Sequence, residues 1–216
     1  MTAPHFHPGD DLLMSYAAGA LPEAPSVVIA AHASLCVTCS QDLQRLDEVG
    51  GAMMAQAEPA ALPASVKQGV LERLARTAER QPRESPYSHG VLPQPVRDYA
   101  SADAEALAWR KMARGAQAFD LAPRWDGKPL RLVRLQHGFV IPRHRHTGRE
   151  LTLVVAGELV DESGTYGRGD VRDCDTEVEH RPRVTSAQPC ICLIANSGRI
   201  VPRKWLARLL VRLSGA

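Results

Sequence analysis

The stretch His32-Ala33-Ser34-Leu35-Cys36-Val37-Thr38-Cys39 constrains this chain more than any other. Its two cysteines are three residues apart and its histidine lies four residues before the first. At helical spacing all three project from neighbouring turns of one face. Thiolate and imidazole together favour zinc, which takes four nitrogen or sulfur ligands in a tetrahedron. His5 and His7 are the nearby donors for the fourth bond. A buried Cys pair beside a hydrogen-bonded histidine is the plainer alternative.

The flanking sequence reads as short helices. Asp10 or Asp11 can cap a first helix carrying Leu12, Leu13 and Tyr16, which Gly19 stops. After Leu21-Pro22-Glu23-Ala24-Pro25, residues Ser26 to Leu35 form a second helix of small and β-branched apolar residues that neighbours must cover, and it delivers His32. Cys36 to about Gln56 supports a third, with Leu43, Leu46, Val49 and Met53 at three- and four-residue steps and Gly50-Gly51 as a weak point. Both cysteines then sit near its N-terminal end, where the helix dipole favours thiolate. So small a core is marginal, and a bound metal supplies the missing folding free energy.

Pro59 to Pro63 breaks the chain. Ala64 to Ala78 then places Val66, Val70, Leu71 and Leu74 on one stripe, with Lys67, Glu72, Arg73 and Arg76 outside it. This amphipathic helix either binds a partner or folds back on its own domain. From Arg80 to Pro95 the composition is Pro-rich and polar, that of a linker, and a domain boundary is expected there.

The second half changes character. Val133 to Leu135, Phe139 to Ile141, Leu151 to Val155, Asp170 to Cys174 and Cys190 to Ala195 are short β-prone runs between Gly, Pro and Asp turns, the pattern of an all-β sandwich or barrel. Within it, Gly138, His144, His146, Glu150 and Gly157 match the spacing of the first cupin motif. His144 and His146 are two apart on a strand and face the same side, and Glu150 can return from the next strand. Gly167-Arg168-Gly169-Asp170 supplies the turn of the second cupin motif, which is otherwise only partly present.

Taken together, His32, Cys36 and Cys39 with an upstream His7, the segment Asp11 to Gly19, and the cupin motif resemble the ChrR-like zinc-binding anti-sigma factors over essentially the whole length. The resemblance implies His7, His32, Cys36 and Cys39 as the zinc ligands. It also implies His180, within Glu179-His180-Arg181-Pro182, as the last ligand of a cupin site with His144, His146 and Glu150. The expected fold is α+β and multidomain: a zinc-binding anti-sigma helical domain over 1–79, a Pro-rich linker over 80–97 and a cupin (double-stranded β-helix) barrel over 98–216. The resemblance further implies an alternative sigma factor of the ECF, RpoE-like type as partner. That partner is held inactive until an oxidative signal such as singlet oxygen or organic peroxide, with the cupin needed for the response. The cupin donors themselves suit zinc, iron, manganese or nickel, and the family favours zinc.

A balance of 26 basic and 24 acidic residues gives no electrostatic case for direct nucleic-acid binding, so a role in transcription runs through protein. The apolar runs are far shorter than the ~20 residues of a membrane helix, and the N-terminus lacks a signal-peptide pattern, so a cytoplasmic protein without membrane contact is expected. Arg143, Arg145, Arg149, Arg181 and Arg183 either attract an anionic ligand or form a solvated loop. Cys190 and Cys192 face one side of a strand, with Cys174 able to come near; a redox-sensing pair and buried small hydrophobes both fit. The rival to a non-enzymatic regulator is a metal-dependent cupin dioxygenase or isomerase with a helical oligomerisation module. Low aromatic content and no separate acid, base or oxygen-activating set count against it.

Overall fold

The computed structural model describes residues 3–78 and 90–202. Among the described residues five helices come first: α1 (Asp10–Ala17), α2 (Glu23–Ala33), α3 (Val37–Ala55), α4 (Ala64–Ala78) and α5 (Gln94–Ala100). Eleven strands follow: β1 (Arg110–Ala113), β2 (Ala116–Trp125), β3 (Lys128–Leu135), β4 (His144–His146), β5 (Glu150–Ala156), β6 (Leu159–Asp161), β7 (Gly164–Tyr166), β8 (Val171–Cys174), β9 (Arg183–Val184), β10 (Cys190–Asn196) and β11 (Ile200–Pro202). Residues 203–216, and most of the expected linker over 80–97, lie outside the described residues.

The expected helices form, with local differences. Gly9 rather than an aspartate is the N-cap of α1, and Asp10 and Asp11 lie in the first turn, where they complement the helix dipole. Gly19 takes φ +65° just beyond the helix, the left-handed stop that glycine adopts without strain. Helix α3 runs through Gly50 and Gly51 without a break. The linker is shorter than its composition implies: Leu92 is fully buried and α5 begins at Gln94 behind Pro93.

Helix α2 organises the packing. Ala24, Val27, Val28, Ile29, Ala31 and His32 are all buried, and Ser26, Ala30 and Ala33 are half-buried, so neighbours cover most of it, as its composition requires. Its apolar residues share one core with Leu12 and Leu13 of α1, Leu43 of α3, Val96 of α5, and Leu132, Leu151, Leu153 and Leu193 of the sheet. Helical region and sheet therefore bury their apolar surface against each other.

That sheet has six strands in the order β1-β2-β3-β10-β5-β8, with the pairs antiparallel. A two-stranded sheet, β11-β4, and a three-stranded sheet, β7-β6-β9, accompany it. Alternation along β5 sends Leu151, Leu153 and Val155 to the core shared with α2. Val154 belongs to a second core with Val133, Leu135, Leu159, Tyr166, Val184, Cys190 and Cys192, the barrel interior. Glu150 and Thr152 share the Val154 side of β5 and so lie on that inner face. Phe139 to Ile141, expected as a strand, makes only an isolated bridge between Val140 and Arg183, because Gly138 and Pro142 bracket it. No single helix among the described residues is long and apolar enough to cross a membrane.

Candidate metal centres

The first centre forms where α2 turns into α3. The two helices meet at a bend of 119°, so the His-Cys-Cys stretch spans a corner and not one continuous helix. His32 comes from the last turn of α2, Cys36 is the N-cap of α3, and Cys39 lies in the first turn of α3. His7 arrives from the N-terminal segment, and its Nδ1 lies 3.4 Å from the sulfur of Cys36 and 3.4 Å from that of Cys39. One donor atom from each of the four residues lies within 4.8 Å of all the others. A tetrahedral zinc with Zn–S of ~2.3 Å and Zn–N of ~2.0 Å has S···N edges of about 3.5 Å, so the spacing fits zinc. Of the two candidate fourth donors, His7 joins the group; the backbone N–H of His5 is engaged by Asp170 instead.

His32 carries a second sign of metal binding. Its Nδ1 lies 2.6 Å from the carbonyl oxygen of Gly169, which fixes the proton there. Its Nε2 is buried with no hydrogen-bond partner, a lone pair left for a cation. Burial also holds the His32 ring below its ordinary value, in the neutral form that ligates metal.

The tie to Gly169 is one of several between this centre and the β7–β8 turn. Asp170 Oδ1 accepts from the backbone N–H groups of His5 (2.6 Å) and Phe6 (3.0 Å), and the N–H of Val171 donates to the Phe6 carbonyl at 3.0 Å. Two zinc-ligand candidates, His7 and His32, are thus positioned by the second-motif turn. From sequence that turn read as a cupin feature only; its role beside the first centre depends on tertiary contact.

The second centre lies in the barrel. His144 and His180 pair through reciprocal backbone hydrogen bonds of 3.0 Å, and His146 follows two residues along β4, so the three rings face one space. Nδ1 is hydrogen-bonded in His144 and His180 and only near a carboxylate in His146. That of His144 lies 2.8 Å from the Pro142 carbonyl, that of His180 3.3 Å from Asp161 Oδ2, and that of His146 3.6 Å from Glu150 Oε2. The Nε2 atoms of His146 and His180 lie 3.1 Å apart, a hydrogen bond when one ring donates and one edge of a ligand set when both present lone pairs to a cation. This donor set fits a divalent metal.

Asp161 is buried and ion-paired with Arg172 Nε at 2.5 Å. Burial opposes its ionisation, yet the bond from His180 leads the contacts that hold its carboxyl below the usual range. The expected fourth ligand, Glu150, belongs to an overlapping group with His180 and Cys174. Asp161, Arg172 and Cys174 had no sequence motif to mark them. Cys174 becomes legible only through strand register, which sets it opposite Glu150.

The remaining cysteines and arginines behave more plainly. Cys190 and Cys192 point into the barrel core with sulfurs 3.6 Å apart, and both are buried. The bond to Cys190, followed by burial, pushes the Cys192 thiol well up, so the pair as folded lacks the access and thiolate character of a reactive site. Cys192 lies opposite Val154 and Cys174 opposite Glu150, about 13 Å apart along β5 at ~3.3 Å per residue. Register thus separates thiols that the sequence suggested could meet. Arg143 pairs with Glu162, and Arg149 with both Asp173 (2.5 Å) and Asp11 (2.7 Å), so these two arginines are neutralised.

The helical corner should lose metal well above the pH at which the His144 and His146 rings are protonated. Burial pushes the Cys39 thiol up to about 12, so metal binding at neutral pH must displace its proton. Affinity there is expected to fall about tenfold per pH unit for each displaced proton, or about a hundredfold per proton from pH 7 to pH 5. Burial and the neighbouring His180 hold His144 at about 4, and the same two causes hold His146 at about 4. Protons then compete with metal at these rings only near pH 4. Metal analysis after dialysis at pH 7, 6 and 5 checks this: occupancy of the helical corner should fall steeply over that range, and full occupancy at pH 5 contradicts it.

Fold and centres together define a two-part architecture, a helical corner with a zinc-compatible donor set packed on a cupin-like barrel. The ChrR cupin-like domain family matches residues 98–198. Anti-sigma-E factor ChrR of Cereibacter sphaeroides is 36% identical over 209 residues, covering 97% of this chain and 97% of that protein. A structure of Rhodobacter sphaeroides SigE in complex with the anti-sigma ChrR matches with a TM-score of 0.74 at 36% identity, covering 89% of this chain and 98% of that one. The chain belongs to the ChrR family of anti-sigma factors.

Proposed function

We propose that this chain is a cytoplasmic anti-sigma factor that sequesters an ECF-type sigma factor and releases it on an oxidative signal such as singlet oxygen or organic peroxide. The carrying observation is α4. Its apolar stripe is unpartnered, with Val66, Val70, Leu71 and Leu74 at 44%, 48%, 51% and 60% exposure, and Leu62 beside it is also open. The outer half of α3 adds exposed Val49, Met53 and Met54. An apolar surface of this extent on helices marks a protein-binding face. The ChrR relative seen in complex with SigE supports a sigma factor as its occupant. Family membership likewise supports a regulator over an enzyme.

In this reading residues 1–79 are the grip, 80–97 connect, and 98–216 are the sensor, with the later part of the connection packed on α2. His7, His32, Cys36 and Cys39 hold zinc, which fixes the angle between α2 and α3. His144, His146, Glu150 and His180 hold a divalent metal in the barrel, and zinc suits these donors. A change at the barrel ligands reaches the grip through the turn carrying Gly169 and Asp170, and through Arg149 bridging Asp173 to Asp11. It promotes release only if it acts differently on the free and sigma-bound states.

Replacing Leu71 and Leu74 together by glutamate tests the grip without disturbing the core, since both are already exposed. Burying such a side chain contributes ~1.5–3 kcal/mol, so sigma binding should weaken about a hundredfold or more while thermal stability holds. Unchanged affinity in a calorimetric titration would place the sigma factor elsewhere.

A further inference from the structure

The barrel contains a sulfur that the three-histidine reading leaves out. Cys174 is fully buried at the end of β8, opposite Glu150 in the β5–β8 ladder, and on the same inner face. Its sulfur, a Glu150 oxygen and a His180 nitrogen lie within 4.8 Å of one another. The two donor groups, one of three imidazoles and one of carboxylate, thiol and imidazole, therefore hinge on His180.

Charge points the same way. Arg172 is buried, two residues before Cys174, and donates from its guanidinium to the Cys174 sulfur while Nε pairs with Asp161. Arg172 and Asp161 cancel each other. A divalent cation with three neutral imidazoles and the Glu150 carboxylate alone leaves one positive charge in a dry interior. A Cys174 thiolate brings the sum to zero, which removes the large cost of burying an uncompensated charge.

We infer that Cys174 is a thiolate ligand of the barrel metal, making a mixed centre of imidazole, carboxylate and sulfur. This rests on the proposal that the barrel holds a metal at all. A sulfur donor selects borderline and soft ions such as zinc, cobalt(II) or cadmium over magnesium, calcium and manganese.

Cadmium-113 NMR of the full chain reconstituted with cadmium separates the possibilities, because each thiolate bound to cadmium moves its resonance downfield. Two resonances are expected. The barrel resonance, identified by its loss in His146→Ala, should lie downfield of the range for nitrogen and oxygen donors alone. In Cys174→Ser it should move upfield while the helical-corner resonance stays. A barrel resonance that already lies in the nitrogen–oxygen range in the unaltered chain overturns the assignment of Cys174, even where the variant fails to fold. So does one that does not move in a folded variant. Either result leaves the metal centre standing. Absence of any second resonance, with one cadmium bound per chain, overturns the barrel metal and the Cys174 ligand with it.

Discussion

Changing His32 to alanine or Cys36 to serine is expected to strip zinc from the helical corner and abolish sigma-factor binding. Helix α3 has 19 residues but buries only Cys39 and Leu43, so little apolar area holds it to the rest of the protein. Helix α2 is different, since the sheet covers it independently of zinc. Loss of the metal should therefore release α3 and the segment bearing His7 while α2 and the barrel stay folded. Structural zinc contributes on the order of 10 kcal/mol in small zinc domains, far more than those few contacts replace. Metal analysis, far-UV circular dichroism and a sigma-binding titration read the outcome. Tight sigma binding by a zinc-free His32→Ala, Cys36→Ser double variant would contradict it.

Substitutions in the barrel centre should separate inhibition from response. His144→Ala, His146→Ala, Glu150→Ala or His180→Ala removes candidate metal ligands on β4, β5 and the chain before β9, none of which belongs to the exposed stripe of α4. Each variant should hold the sigma factor as tightly as the unaltered chain yet fail to release it when singlet oxygen or organic peroxide is applied. The ground is that the barrel has a buried donor set whose loss or oxidation changes local structure. The turn at Gly169 and Asp170 then carries that change to His32 and to the segment before His7. A sigma-dependent reporter, measured with and without the oxidant, gives the readout. Full induction in a variant shown to lack barrel metal would move the sensor to the cysteines, with Cys190 and Cys192 reacting only after the barrel opens.

Much of this molecule could be read from its residues. Helix α4 has the bounds that its spacing indicated, because an amphipathic repeat between a proline break and a polar stretch is a local signal. The ligand histidines of β4 were legible because a strand's two-residue period is local as well. Strand β2 was not, since Asp120, Pro123 and Arg124 interrupt its apolar pattern and the ladder shifts register between Asp120 and Arg124. The packed end of the linker was hidden because Pro93 and Pro95 suggest extended chain, although Leu92 and Val96 insert into the core. Asp161, the bond from Gly169 to His32, and the place of Cys174 opposite Glu150 depend on partners far away in sequence, so no spacing rule could bring them forward.

The most direct measurement is co-purification of the tagged, zinc-loaded full chain with an ECF-type sigma factor from its own cells, followed by transcription with that sigma factor and core RNA polymerase. A sigma factor retained through gel filtration, together with transcription suppressed by added protein and restored by the Leu71→Glu, Leu74→Glu variant, is the predicted result. No retained sigma factor, and transcription indifferent to an excess of the zinc-loaded chain, would contradict the assignment.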